Sequence, residues 1–178
     1  MTQPIEQVIL AIDPGSRRSG FGVIGVSQQR SQYITSGCID LTAAGEISAR
    51  LDVLFSAVTE LIAQYTPNEF AIEQVFMGRN AASALKLGQA RGAAIVAATQ
   101  AQLPVFEYAA RQVKLSVVGV GQADKQQVQQ MVMRLLSLPG LPQEDAADAL
   151  AIALCHAQVQ NQLARLGPDL SVRRGRAR

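Results

Sequence analysis

Four carboxylates in this 178-residue chain sit where solubility alone does not explain an acid. Asp13 closes the apolar run V-I-L-A-I of Val8 to Ile12 and is followed at once by Pro14 and Gly15. Glu73 breaks a second apolar run, F-A-I-E-Q-V from Phe70 to Val75. A carboxylate inside a buried strand is costly unless it is paired or holds a metal. Asp145 and Asp148 stand three apart in E-D-A-A-D-A-L-A, a spacing that projects both from one face of a helix's opening turns. Each has a plainer account: on its own stretch Asp13 serves equally well as a turn or cap residue, and Glu144 with Asp145 complements a helix dipole. That account covers Asp148 less well. Brought to one place, the four acids would repel one another by several kcal/mol unless cations intervene. Their hard oxygens suit Mg²⁺ or Mn²⁺, ions that keep several waters and also bind phosphate oxygens. Two such ions roughly 3.5 to 4 Å apart can activate a water on one side of a phosphodiester and stabilise the leaving oxygen on the other. The chemistry is then metal-assisted phosphodiester hydrolysis. No Ser-His-Asp set, zinc motif or P-loop in the sequence competes with it. His156, the only histidine, lies two turns beyond Asp148 in A-L-C-H-A and could approach the acids, although a satisfied core or interface histidine is the better reading.

The elements that must position these acids follow from the apolar pattern. Val8 to Ile12 and Phe21 to Val26 read as a hairpin whose turn holds Asp13, Ser16, Arg17 and Arg18. Tyr33 to Ile39 supplies a third strand, with Cys38 and Ile39 as core. A helix opens at Gly45 and Glu46, carries apolar residues at three- and four-residue steps to Tyr65, and stops at Pro67 and Asn68. Phe70 to Val75 is a buried strand. Ala81 to Ala101 is a long helix of small residues with Gly88 and Gly92 four apart, a pattern that suits burial and a subunit interface about equally. Pro104 to Tyr108 gives a fifth strand, and Ala109 to Val117 a helix carrying Arg111 and Lys114. The glycines of V-V-G-V-G-Q-A-D-K suit an ordinary loop better than a phosphate cradle. A helix runs from Asp124 to Leu138, Pro139 to Pro142 break the chain, and the last helix begins at Glu144. An antiparallel start followed by alternating helices and strands predicts an α/β fold, a mixed five-stranded sheet flanked by helices on both faces. With the first and fourth strands side by side, Asp13 and Glu73 meet, and the last helix presents its two acids to the same spot.

Length predicts one domain, assigned to residues 1–163, with a polar and then basic tail over 164–178 ending in R-R-G-R-A-R, which suits disorder and non-specific attraction to DNA. The net charge of +2 decides nothing by itself. Its distribution is more telling. Between Gln74 and Gln143, Arg79, Lys86, Arg91, Arg111, Lys114, Lys125 and Arg134 face only Glu107 and Asp124 among the acids. That bias suits a phosphate-binding face, although cations so widely spread more often mark a solvated surface; Arg79, Lys86 and Arg111 are the candidate DNA contacts. Cys38 and Cys155 have no C-x-x-C spacing and no signal peptide or long apolar span accompanies them, so the chain reads as cytoplasmic with reduced thiols and no membrane partner.

I-D-P-G-S at Ile12 to Ser16, I-E-Q-V-F at Ile72 to Phe76, S-A-L-K-L-G-Q-A-R-G at Ser83 to Gly92 and D-A-A-D-A-L-A at Asp145 to Ala151 together resemble the bacterial RuvC-type Holliday junction resolvases, members of the ribonuclease-H-like nuclease superfamily. The resemblance runs from about Val8 to His156. It implies catalytic, metal-binding acids at Asp13, Glu73, Asp145 and Asp148, and two Mg²⁺ ions per subunit for which Mn²⁺ substitutes. It places Lys114 and Lys125 near the scissile backbone and Phe76 near unpaired bases of the junction. Some relatives carry a histidine where this chain has Asp145. The implied activity is resolution of four-way DNA junctions by a homodimer, within a short T-rich tetranucleotide and together with the RuvA and RuvB branch-migration proteins, in recombination and repair. Three rivals weigh less. An actin-like ATPase needs two such domains, a non-catalytic junction binder has no use for four acids, and a nuclease for RNA–DNA hybrids is separated from a resolvase by substrate.

Overall fold

The computed structural model describes residues 5–75 and 80–166. Within them, five strands form one sheet in the order β3-β2-β1-β4-β5, built from β1 (Gln7–Asp13), β2 (Arg18–Ser27), β3 (Arg30–Asp40), β4 (Glu69–Glu73) and β5 (Val105–Tyr108). The first three are antiparallel; β4 and β5 join parallel. The helices are α1 (Ile47–Tyr65), α2 (Ala81–Gln100), α3 (Ala110–Val118), α4 (Lys125–Leu135) and α5 (Glu144–Leu166), and a short 3₁₀ turn covers Thr42–Ala44.

The two-residue period of β1 divides the core. Ile9 and Ala11 join Ala71, Ile24, Val26 and the apolar faces of α3, α4 and α5 on one side of the sheet. Leu10 and Ile12 join Phe70, Ile72, Val23 and the inward residues of α1 and α2 on the other. Ile9 to Ile12 are wholly buried, as a central strand covered on both faces requires. By the same alternation, Asp13 and Glu73 belong to the α5 side.

Several element ends differ from the sequence pattern. β4 stops at Glu73, so that acid ends the strand instead of interrupting it. The bulk of the β1–β2 turn is shorter than expected, because Arg18 already pairs with Asp40 across the sheet. α4 stops at Leu135, short of the expected Leu138, and Ser137 takes a positive φ of 52°. The loop of Gly119 to Asp124 is ordinary: Gly119, at φ +83°, closes α3, and Asp124 opens α4 with a capping box completed by Gln127. α5 continues to Leu166, past the expected start of the tail at 164; the rest of that tail lies outside the described residues.

His156 is fully buried on α5 beneath the sheet. Its Nδ1 lies 2.6 Å from the Tyr108 hydroxyl and its Nε2 2.6 Å from Glu69 Oε2. A neutral ring, accepting from Tyr108 and donating to the Glu69 carboxylate, satisfies all three groups, and burial pushes the imidazole below its ordinary titration range. This is the satisfied core histidine of the sequence reading, away from the four acids.

Candidate active site

Register explains why acids so far apart in sequence converge. Ile12 pairs with Ile72 between β1 and β4, which puts Asp13 and Glu73 side by side one step further on, at the carboxyl ends of adjacent parallel strands. Asp13 pairs on its other side with Gly20 of β2. A Cβ at Gly20 would stand 1.9 Å from the Asp145 carbonyl oxygen, and one at Gly22 2.9 Å from the Leu150 backbone nitrogen. Only glycine lets the start of α5 lie directly on β2, and it is this contact that carries Asp145 and Asp148 to Asp13.

Asp13, Glu73 and Asp148 line one cavity of ≈ 280 Å³ together with Lys114 of α3 and Lys125 of α4. Asp145 lines a separate recess with Arg17, Arg18 and Gln143. It remains close enough for its charge to act on both Asp13 and Asp148. Burial, then the charges of Glu73, Asp148 and Asp145, push the Asp13 carboxyl from 3.8 up to about 8, against the pull of Lys125. Burial and Asp148 also raise Glu73, while Lys114 and Lys125 oppose. Asp148 is raised by burial, with Lys125 as the main opposing charge at 3.8 Å. Lys125 also pairs with Glu144, whose hydrogen bond raises the ammonium above its ordinary range. Carboxylates pushed toward the neutral form by burial and by one another are what a cation would relieve, and hard oxygen donors suit a divalent one. Three acids line the cavity without meeting at a point: among the described residues, no three Asp, Glu, His or Cys side chains stand close enough together to form a preformed cage for an ion.

Lys86 of α2 and Arg111 of α3 are exposed, and the Arg111 side chain lies over Gly121, turned to the α3–α4 loop. Neither lines the acidic cavity. Phe76 and Arg79 lie outside the described residues. Cys38, expected in the core, is only half-buried, and its Sγ stands 3.5 Å from Asp145 Oδ2. The pairing of Cys38 with Gly20 brings it there, a register that no local pattern discloses.

A mixed five-stranded sheet with acids on adjacent parallel strand ends and on a helix packed across them defines a nuclease site of the ribonuclease-H-like class. A family model, crossover junction endodeoxyribonuclease RuvC, matches residues 9–156. The chain is 58% identical over 172 residues to a protein of that name from Photobacterium profundum, covering 96% of this chain and 99% of the relative. A Klebsiella pneumoniae relative of the same name is 56% identical over the same shares of the two chains. Thermus thermophilus RuvC in complex with a Holliday junction substrate superposes with a TM-score of 0.82 at 33% identity, covering 88% of this chain and 96% of that one. The yeast mitochondrial Holliday junction resolvase shares the fold, with a TM-score of 0.64 at 14% identity. The chain belongs to the RuvC crossover junction endodeoxyribonuclease family.

Proposed function

We propose that this protein resolves four-way DNA junctions in recombination and repair by hydrolysing one phosphodiester in each of two strands. The observation that carries the reading is the gathering of Asp13, Glu73 and Asp148 around one cavity with Lys114 and Lys125, in a chain of this family. Asp13, Glu73, Asp145 and Asp148 would hold Mg²⁺, two ions per subunit with Mn²⁺ as a substitute, after side-chain rotation brings their oxygens together. Bound there, the metal would supply a hydroxide nucleophile and stabilise charge on the leaving oxygen. The four acids would act by holding the metal, and the two lysines would balance the charge gathering on the scissile phosphate. Comparing cleavage of a four-way junction, a linear duplex and an RNA–DNA hybrid in Mg²⁺ tests this. Preference for the junction is expected, and equal or greater cleavage of the hybrid would reassign the substrate.

Lys114→Ala and Lys125→Ala should each lower nicking by about 10–100-fold and stability by less than about 1 kcal/mol, since the exposed Lys125 pair contributes little to folding. Parallel nicking and thermal-melting curves check this; a large fall in Tm would move the lysine into the scaffold.

Phe76, Arg79, Lys86 and Arg111 would contact the DNA around the cavity, Phe76 by stacking on an unpaired base. The molecule would work as a homodimer through the outer face of α2. There the exposed Leu85, Gly88 and Val96 and the half-buried Gly92 follow three- and four-residue steps, while Ala90, Ala94, Ala97 and Ala98 pack inward. A Cβ at Gly88 or Gly92 would meet nothing within 4 Å, which leaves room for a second helix. Residues 1–163 would form the nuclease domain and 164–178 add non-specific attraction to DNA. RuvA and RuvB would be its branch-migration partners and the cytoplasm its place of work. Both cysteines are free, and no described helix is long and apolar enough to cross a membrane.

A further inference from the structure

Glu73 is the last residue of β4, and the ladder that fixes it ends one step later, where the Gln74 N–H donates to the Tyr108 carbonyl at 2.9 Å. β1 ends beside it at Asp13. The Gln74 hydrogen bond holds the Glu73–Gln74 peptide by its N–H alone, and a tilt about it would swing the Cα–Cβ bond that aims the carboxylate. One side chain holds the carbonyl end of the same peptide. Arg91 of α2 donates from Nε to the Glu73 carbonyl oxygen at 3.2 Å while its terminal nitrogen pairs with Glu107 of β5. Glu107 pairs with Ile72 in the sheet, so the guanidinium fork holds the end of β4 to its neighbour at two points.

From this geometry we infer that Arg91 is a positioning residue for the reaction: reaching from the helix layer opposite the acids, it fixes the Glu73 main chain and so the aim of the Glu73 carboxylate. The inference rests on the proposed role of Glu73 in holding metal. A support that orients a metal-binding side chain costs about 10–100-fold in activity or metal affinity when removed. Lysine cannot replace it, because one ammonium does not reach two acceptors set apart to match a planar fork.

The test is nicking of a saturating four-way junction across a Mg²⁺ titration. Junction binding is measured without divalent metal, and Tm is measured alongside. For Arg91→Gln the expected result is a rate lower by about 10–100-fold and a Mg²⁺ midpoint raised several-fold, with metal-free binding unchanged. Glu107→Gln, which leaves the Nε donation in place, should stay within a few-fold of the parent rate. If Arg91→Gln does not fold, Arg91→Lys keeps the charge and the aliphatic stem, and its Mg²⁺ midpoint must still rise. An unchanged midpoint in the folded Arg91 variant overturns the inference. So does a loss in Glu107→Gln as large as that in Arg91→Gln, since the arginine would then act on the strand pair and not on Glu73. Undiminished nicking by Glu73→Gln would remove the proposed site itself, whereas the arginine outcomes alone leave that site standing.

Discussion

Replacing Asp13 by Asn should lower junction nicking in Mg²⁺ on the order of a thousandfold while the junction is still bound, because the change removes a central negative oxygen without changing volume. The same variant should be more stable than the parent when metal is absent. The folded-state carboxyl titrates at about 8 against an ordinary value of 3.8, so between those limits the native protein holds a proton that the unfolded chain has released. Stability from this group is therefore complete below about pH 4 and is lost progressively as pH rises toward 8. Asn has no such loss. Melting in a chelator should show parent and variant nearly together at pH 4 and the variant higher by roughly 10 °C at pH 8, where a few kcal/mol separate them. Mg²⁺ should narrow that gap by stabilising the parent alone. Nicking retained in Asp13→Asn would take this acid out of the reaction, and a gap that is independent of pH would show that burial and neighbours do not act on it as described.

The second large effect concerns the pair of cuts. A four-way junction has two strands of like polarity related by an approximate two-fold axis, so two symmetric nicks call for two sites with that symmetry. Each chain offers one set of acids. A dimer of one intact chain and one Asp148→Asn chain should therefore nick a single strand and release almost no resolved duplex, while two intact chains release nearly all product as duplex. Differently tagged chains purified together, with nicked and linear products counted on a supercoiled cruciform, make the measurement. Paired cutting by the mixed dimer, or a monomer in sedimentation both with and without the junction, would refute the proposed assembly.

The sequence disclosed what local chemistry governs. The apolar run of β1, the small-residue helix expected over Ala81 to Ala101 and the start of α4 next to Asp124 all lie within a residue of where their patterns put them. Three of the four suspect acids line one cavity and the fourth acts on two of them by its charge; each was conspicuous by standing in or at the end of an apolar run or at a helix start. What depends on register was hidden. Glu73 read as an interruption because Gln74 and Val75 continue the apolar alternation, yet β5 offers no strand partner beyond Tyr108. Cys38 read as core because its neighbours are apolar, and only its pairing with Gly20 reveals that it faces Asp145. Arg91 looked like one more surface cation, because neither acceptor of its guanidinium is near it in sequence.

The paired glycines of β2 place an unusual constraint on how this nuclease can vary. On the strand face beneath α5 the residues run Gly20, Gly22, Ile24, Val26, so side-chain bulk is absent next to the acids and present away from them. At the end that carries the acids the spacing between helix and sheet is therefore set by backbone atoms, which no choice of rotamer can relax. Repacking the far end of α5 with other apolar residues is a matter of fitting volumes. At position 20 there is no volume to fit, and even one methyl group would have to lever Asp145 and Asp148 off the neighbouring strands. Drift in a lineage can redraw most of this interface, but the two acids travel with an absence of atoms that has no substitute among the other nineteen side chains.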